Sequence, residues 1–160
     1  MRVFERMMFM AVKTNAMRLL DQKKIPYVVK EFPTDQRAFQ YLNLSESQIF
    51  KTLVTTDTKK GFFVFVLPSD EELDLKKAAN VVGVKRIEML KQKDLLPLTG
   101  YVHGGCSPIG MKKLFVTVMD VKALNFDSIV CSAGKVGVLM EINPRDIQSV
   151  VGASFESITK

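Results

Sequence analysis

Phe50-Lys51-Thr52-Leu53-Val54-Thr55-Thr56 is followed by the turn Asp57-Thr58-Lys59-Lys60-Gly61 and then by Phe62-Phe63-Val64-Phe65-Val66-Leu67. The outer two segments are rich in β-branched and aromatic residues, which favour strands. The polar turn between them ends in glycine, so the pair reads as a hairpin. A strand with one wet face alternates apolar and polar residues, but Phe62 to Leu67 is apolar throughout. Such a run fits a strand buried on both faces, in the middle of a sheet.

Working outward from this hairpin, Thr14 is expected to cap a helix from Asn15 to about Lys24, with Ala16, Met17, Leu19 and Leu20 on its apolar face. Pro26 stops it, and Tyr27 to Phe32 reads as a strand, followed by a short helix from Gln36 to Leu42. Downstream, Ser69 with Asp70, Glu71 and Glu72 suits a helix N-terminus, where carboxylates meet the positive end of the dipole. That helix is expected to turn Leu75, Ala78 and Ala79 inward, expose Lys76 and Lys77, and stop at Gly83. Val84–Met89 is a short strand and Lys93–Leu96 a short helix ended by Pro97. Leu114–Met119, Ser128–Ser132 and Val138–Ile142 are further strands. In Asn143-Pro144-Arg145-Asp146 a cap, a first-position proline and a first-turn acid start a last helix, which Gly152 ends before an edge strand at Ala153–Phe155. Strands and helices interleave, which predicts an α/β fold: a mixed, curved, barrel-like sheet surrounded by helices.

At 160 residues, with neither an internal repeat nor a linker, the chain is read as one domain over 13–160. The 12 residues before it, with Met7, Met8 and Met10 as alternative starts, are read as an N-terminal extension. Their uncharged stretch, Met7 to Val12, is too short for a signal core or a membrane span. No membrane association is expected. Cys106 and Cys131 are expected to be free thiols in a reducing, cytoplasmic compartment. A net charge of +6 favours a polyanionic partner such as nucleic acid, or is simply a soluble basic surface.

The segment richest in chemical possibilities is Gly104-Gly105-Cys106-Ser107-Pro108-Ile109-Gly110. Its glycines let a ligand reach bare main-chain N–H groups, which can hold an anion or a carbonyl oxygen. The spacing matches neither a phosphate-binding P-loop nor a dinucleotide fingerprint. A second turn, Ser132-Ala133-Gly134-Lys135-Val136-Gly137, can set Ser132, backbone amides and an ammonium beside it. Lys51, at a strand mouth beside Thr52, can orient a phosphate or polarise an ester carbonyl, or be merely solvated. Other catalytic arrangements are poorly supplied. His103 is the single histidine, no nucleophile elbow is present, and a His103–Cys106 dyad rests on sequence proximity alone. One histidine and two distant cysteines make a poor zinc set, so neither metal nor cofactor is expected. Lys112-Lys113, Lys76-Lys77 and Lys85-Arg86 are candidate phosphate-binding rims or solvated faces.

In order and spacing, several stretches resemble the bacterial YbaK family of aminoacyl-tRNA deacylases, related to the editing domain of prolyl-tRNA synthetase. They are Lys13-Thr14-Asn15-Ala16, Leu19-Leu20-Asp21, Ile25-Pro26-Tyr27, Phe50 to Val54, Leu73 to Ala79, Leu98-Thr99-Gly100-Tyr101, Gly104 to Gly110 and Ser132 to Lys135. The likeness runs from about Lys13 to Ile158. It implies a barrel-like mixed sheet with surrounding helices and trans hydrolysis of mischarged tRNA(Pro), engaged by its acceptor end. The ester would be that of Cys-tRNA(Pro), or in relatives Ala-tRNA(Pro), with prolyl-tRNA synthetase and elongation factor as partners. It also implies a catalytic group of Lys51, Thr52, Gly104 and Gly105, and substrate contacts from Phe32, Phe50, Cys106, Ser107, Pro108, Ser132, Gly134 and Lys135. Lys51 would orient the terminal adenosine or the ester, loop amides would hold the carbonyl oxygen, and the substrate's own thiol would attack. Cys106 is read as structural. Phe32 departs from the family's common tyrosine, and Pro33–Asn43 is shorter than usual, with Phe39 as a pocket candidate. A non-catalytic nucleotide or aminoacyl-tRNA binding module and a Cys106-dependent thiol enzyme are the competing readings.

Overall fold

The computed structural model describes residues 13–160; the expected N-terminal extension, residues 1–12, lies outside the described residues. Among the described residues, eight strands form two sheets. The first sheet, order β1-β7-β6, is antiparallel and comprises β1 (Val28–Glu31), β7 (Val138–Ile142) and β6 (Ile129–Lys135). The second, order β4-β2-β3-β5-β8, is mixed and comprises β4 (Ile87–Met89), β2 (Phe50–Asp57), β3 (Phe62–Pro68), β5 (Val116–Asp120) and β8 (Ser154–Glu156). Here β4, β2 and β3 pair antiparallel, whereas β3, β5 and β8 pair parallel. The mixed sheet expected from the sequence is thus present in two parts, which meet at one parallel bridge between Ile49 and Val130.

The β2–β3 hairpin forms in the register Phe50↔Pro68 to Thr56↔Phe62. With β2 on one side and β5 on the other, β3 is interior, and Val64, Phe65, Val66 and Leu67 are fully buried. Alternation along these strands sorts the core. Phe50, Val54, Val64 and Val66 face the space between the sheets, where they meet Met119, Ile129, Cys131 and Met140. Two helices, α1 (Asn15–Gln22) and α5 (Pro144–Val151), add Ala16, Leu20 and Ile147 to this core. The outer face of the second sheet packs Phe65, Leu67 and Val118 against Ala78 and Ala79 of α3 (Leu75–Val82). A smaller outer cluster joins Ile49, Val130 and Leu139 to Phe32, Ala38, Phe39, Leu42 and Leu44 around the one-turn α2 (Ala38–Tyr41).

Side-chain caps start both α1 and α5, as the sequence predicts. Thr14 accepts from Met17 N–H, and Asn143 accepts from Arg145 N–H with Pro144 in the first turn. Asn143→Ala is expected to cost about 1 kcal/mol, read as a lower thermal midpoint.

Three local expectations need correction. Asp70, Glu71 and Glu72 do not start α3: Asp74 caps it, accepting from Lys76 and Lys77 N–H. Leu73 instead bridges Thr159, while Glu71 and Glu72 pair with Lys122 and Lys160. Leu75, expected inward, is exposed in the first turn of that helix. Pro97 does not stop α4 (Gln92–Thr99) but sits in its last turn. The end is then closed by Thr99 Oγ1 donating to Leu95 and Gly100 N–H donating to Leu96.

Candidate active site

The Ile49–Val130 bridge decides what lies beside Lys51. It is a single parallel bridge that brings the starts of β2 and β6 together, and two residues beyond it Lys51 and Ser132 lie on the same sides of their strands as Ile49 and Val130. The apolar floor on that face is the Ile49, Val130 and Leu139 cluster with Phe32 and Phe39. Lys51 is half-buried, and its Nζ donates to the Ser69 carbonyl at 3.4 Å. Ser69 is itself clamped, its N–H on Ile49 O at 2.7 Å and its Oγ on Glu46 O at 3.1 Å. Among the described residues no carboxylate lies within 4.0 Å of the Lys51 ammonium. Glu141, on the outer face of the neighbouring strand, is engaged by Ser128 Oγ and by Lys30. The Ser128 hydrogen bond first, and then Lys30, hold its carboxyl below the usual range. The Lys51 cation is therefore left to meet an anionic or carbonyl ligand.

The wall of the site is made by backbones in close approach. A β-bulge between Ser132 and Lys135 shifts the register of β6, and Ser132 Oγ accepts from Gly134 N–H at 3.1 Å. The exposed β6–β7 turn that follows holds Lys135 and Val136 against the glycine loop: a Cβ on Gly105 would sit 2.9 Å from Val136 N and 3.1 Å from Lys135 C. On its other side the turn meets β1, with Phe32 N–H donating to Gly137 O at 3.0 Å. The turn thus brings Gly105, Lys135, Val136, Gly137 and Phe32 together, Gly134 packs against Tyr101 and Thr14, and Lys51 lies near the Ile49–Val130 bridge at the start of β6. Gly105 N–H is spent on Val102 O at 3.0 Å, so it cannot hold a substrate carbonyl. The N–H groups of Gly104, Cys106, Ser107 and Gly110 have no protein acceptor among the described residues; of these residues Gly104 is exposed, whereas Cys106 and Ser107 are buried.

Five of the expected site residues point elsewhere. Thr52 follows Lys51 in a strand and so faces the opposite side, with Phe50 and Val54. Its Oγ1 is sealed from solvent without a hydrogen-bond partner. Phe50, Cys106 and Ser107 are core residues, 2%, 8% and 0% exposed. Pro108 lines a separate shallow apolar groove with Leu19, Met111, Phe115, Val150 and Val151. Burial pushes the Cys106 thiol up to about 12, partly opposed by the Thr99 hydroxyl. Cys106→Ala is expected to leave turnover unchanged, and the wild-type pH–rate profile between about pH 6 and 9 to lack a limb from this thiol. A tenfold loss of turnover in folded Cys106→Ala contradicts this.

Other residues that build the site were not singled out in the sequence. Tyr101 donates its O–H to Ile109 O at 2.7 Å and so pins the glycine loop. Thr14, besides capping α1, donates to Ala133 O and pins the bulge. Ser69 and Ile49 position Lys51, and Leu139 packs with Ile49 and Val130. A tyrosine immediately before a glycine loop was the one available signal. Among the described residues no group of three or more His, Cys, Asp or Glu is placed to hold a metal, and no helix is long and apolar enough to cross a membrane.

Residues 30–150 match the aminoacyl-tRNA editing domain model. The chain belongs to the aminoacyl-tRNA editing family. EbsC of Enterococcus faecalis, provisionally named a Cys-tRNA(Pro)/Cys-tRNA(Cys) deacylase, is 45% identical over 153 residues, covering 92% of this chain and 93% of EbsC. A proline–tRNA ligase of Shouchella clausii is 26% identical over 127 residues, or 79% of this chain and 21% of the ligase. The crystal structure of a protein provisionally described as a trans-editing enzyme for prolyl-tRNA synthetase superposes with a TM-score of 0.80 at 23% identity, covering 93% of this chain and 99% of that one. That last likeness speaks for the fold of the editing domain. Lys51, the glycine loop and the β6–β7 turn lie within the matched residues.

Proposed function

We propose that this editing domain is an aminoacyl-tRNA deacylase that acts in trans on mischarged tRNA(Pro) and releases cysteine from Cys-tRNA(Pro). The observation that carries the reading is Lys51: an ammonium without a carboxylate partner among the described residues, held on Ser69 O at the strand mouth next to the Ile49–Val130 bridge. Family membership and the identity with EbsC support it.

In this reading Lys51 binds the terminal ribose or ester oxygens, and the free N–H of Gly104 faces the developing oxyanion. Ser132 and Lys135 frame the adenosine end, while Phe32 and Phe39 contact the aminoacyl group. Gly105 and Gly134 act through the close packing they permit, and Thr52, Phe50, Cys106, Ser107 and Pro108 support the site from behind. Protein nucleophiles are scarce here, because both thiols are buried and protonated. The substrate supplies one: its thiol sulfur attacks its own ester carbonyl, the C–S bond forms, and the C–O bond to the ribose breaks. The thiol proton ends on the departing ribose oxygen, and water later opens the thiolactone to free cysteine. The cytoplasm, where tRNA is charged, is the fitting location. Prolyl-tRNA synthetase is the partner that the ligase similarity suggests, and elongation factor is a second partner in this reading.

Parallel deacylation of Cys-tRNA(Pro) and Ala-tRNA(Pro) tests this. Preferential loss of the cysteinyl ester is expected. Equal or faster alanine release removes the obligatory thiol and keeps the ester hydrolase. Binding without turnover of either ester would replace the enzyme with a binding module.

A further inference from the structure

Away from Lys51, the second sheet ends in concentrated positive charge. β2 runs from the site to Asp57, where β4 pairs with it in the register Asp57↔Ile87. The turn Thr58–Gly61 that follows Asp57 and the segment Lys85–Arg86 that precedes Ile87 therefore lie at the same end of the sheet. Lys59, Lys60, Lys85 and Arg86 are all exposed, and among the described residues none has its side-chain cation within 4.0 Å of a carboxylate. Two acids are close in the chain. Asp57 turns its carboxylate into the hairpin turn, accepting from Lys59 and Gly61 N–H, and Glu88 lies on β4 opposite Thr56. Cations on a short edge strand discourage unwanted strand pairing. That explains Lys85 and Arg86 at most, because Lys59 and Lys60 belong to the turn between two interior strands. Six residues of strand separate Lys51 from Asp57, ~20 Å at about 3.4 Å per residue. No aminoacyl ester alone spans that distance.

We infer that Lys59, Lys60, Lys85 and Arg86 form a contact surface for the phosphate backbone of the acceptor stem whose 3′ end occupies the Lys51 site. The inference rests on the deacylase reading above. Lysines give point charges and the arginine a planar fork, both suited to phosphates, and such contacts set register and affinity without reading sequence.

The test uses Lys59→Glu/Lys60→Glu, Lys85→Glu/Arg86→Glu and the combined variant, each checked for an unchanged thermal midpoint. Turnover is measured on full-length Cys-tRNA(Pro) and on the cysteinyl ester of adenosine, which cannot reach the surface. For the combined variant, KM on the tRNA is expected to rise about tenfold or more, while the slope of log kcat/KM against log salt flattens by about 0.7–0.9 for each phosphate that the variant no longer neutralises. Turnover of the small ester is expected to stay unchanged. Unaltered tRNA kinetics, or equal losses on both substrates, overturns the inference. If the wild type cleaves neither substrate, the deacylase reading fails by itself. Band-shift binding of uncharged tRNA(Pro) then decides the surface, with weakened binding by the variants upholding it and unchanged binding overturning it. Variants that lose only adhesion to phosphatidylserine vesicles also overturn it, in favour of a membrane contact.

Discussion

Lys51→Ala is expected to lower deacylation of Cys-tRNA(Pro) by about 10²–10³-fold, the usual effect of deleting one preorganised electrostatic contact to a reacting carbonyl. The fold is expected to survive. Among the described residues the Lys51 side chain makes one hydrogen bond, the long one to Ser69 O, and no ion pair. A half-exposed side chain of this kind costs about 0.5 kcal/mol or less when truncated. Lys51→Met, which keeps the stem and removes the charge, is expected to behave like alanine. Lys51→Arg is expected to recover little, because its planar fork cannot sit over the Ser69 carbonyl as an ammonium does. The measurement is single-turnover release of labelled cysteine beside a thermal melt. A folded Lys51→Ala protein within a few-fold of wild type contradicts the assignment.

The largest stability effect is expected from Gly110→Ala. Gly110 has φ +82°, where an L side chain costs about 1–2 kcal/mol. A Cβ there would also lie 2.7 Å from Ala16 N, 2.7 Å from the Tyr101 hydroxyl and 2.9 Å from Asn15 C. Two of those atoms are backbone at the start of α1 and cannot swing aside, so overpacking adds roughly 1–3 kcal/mol. The sum, about 3 kcal/mol, corresponds to a fall of roughly 10 °C in thermal midpoint for a chain of this size. Gly83 is the control. It has φ +75° at the end of α3 but open space around a Cβ, so Gly83→Ala is expected to cost about 1 kcal/mol. Equal midpoints for the two variants would show that the loop yields and that the close approach at Gly110 matters little.

What the sequence made legible was what local chemistry decides. The apolar run Phe62–Leu67 announced a doubly buried strand because nothing polar interrupts it, and Asn143-Pro144 announced a helix start through its own cap. The acidic run at Asp70–Glu72 misled because Glu71 and Glu72 find partners far along the chain, in Lys122 and Lys160. The site was half legible. Its glycine loop stood out by composition, but the approach of the start of β2 to β6 rests on the Ile49–Val130 bridge, and no local pattern encodes a single bridge between two sheets. Strand alternation already separates Lys51 from Phe50 and Thr52, and once β2 is placed these two turn into the core. The anchoring by Thr14 and Tyr101 was illegible, because each reaches a backbone carbonyl whose position the fold alone fixes.

The most direct test of the site is a titration that does not depend on turnover. An amide-linked cysteinyl adenosine, which cannot be hydrolysed, is added to the isotopically labelled protein and backbone amide shifts are followed. Perturbation is expected at Lys51, at Ser132 to Gly137 and at Gly104, with none in the groove lined by Leu19, Met111 and Val150. Shifts confined to that groove, or absent at Lys51 and Ser132 at saturating analogue, would contradict the placement of the substrate at Lys51.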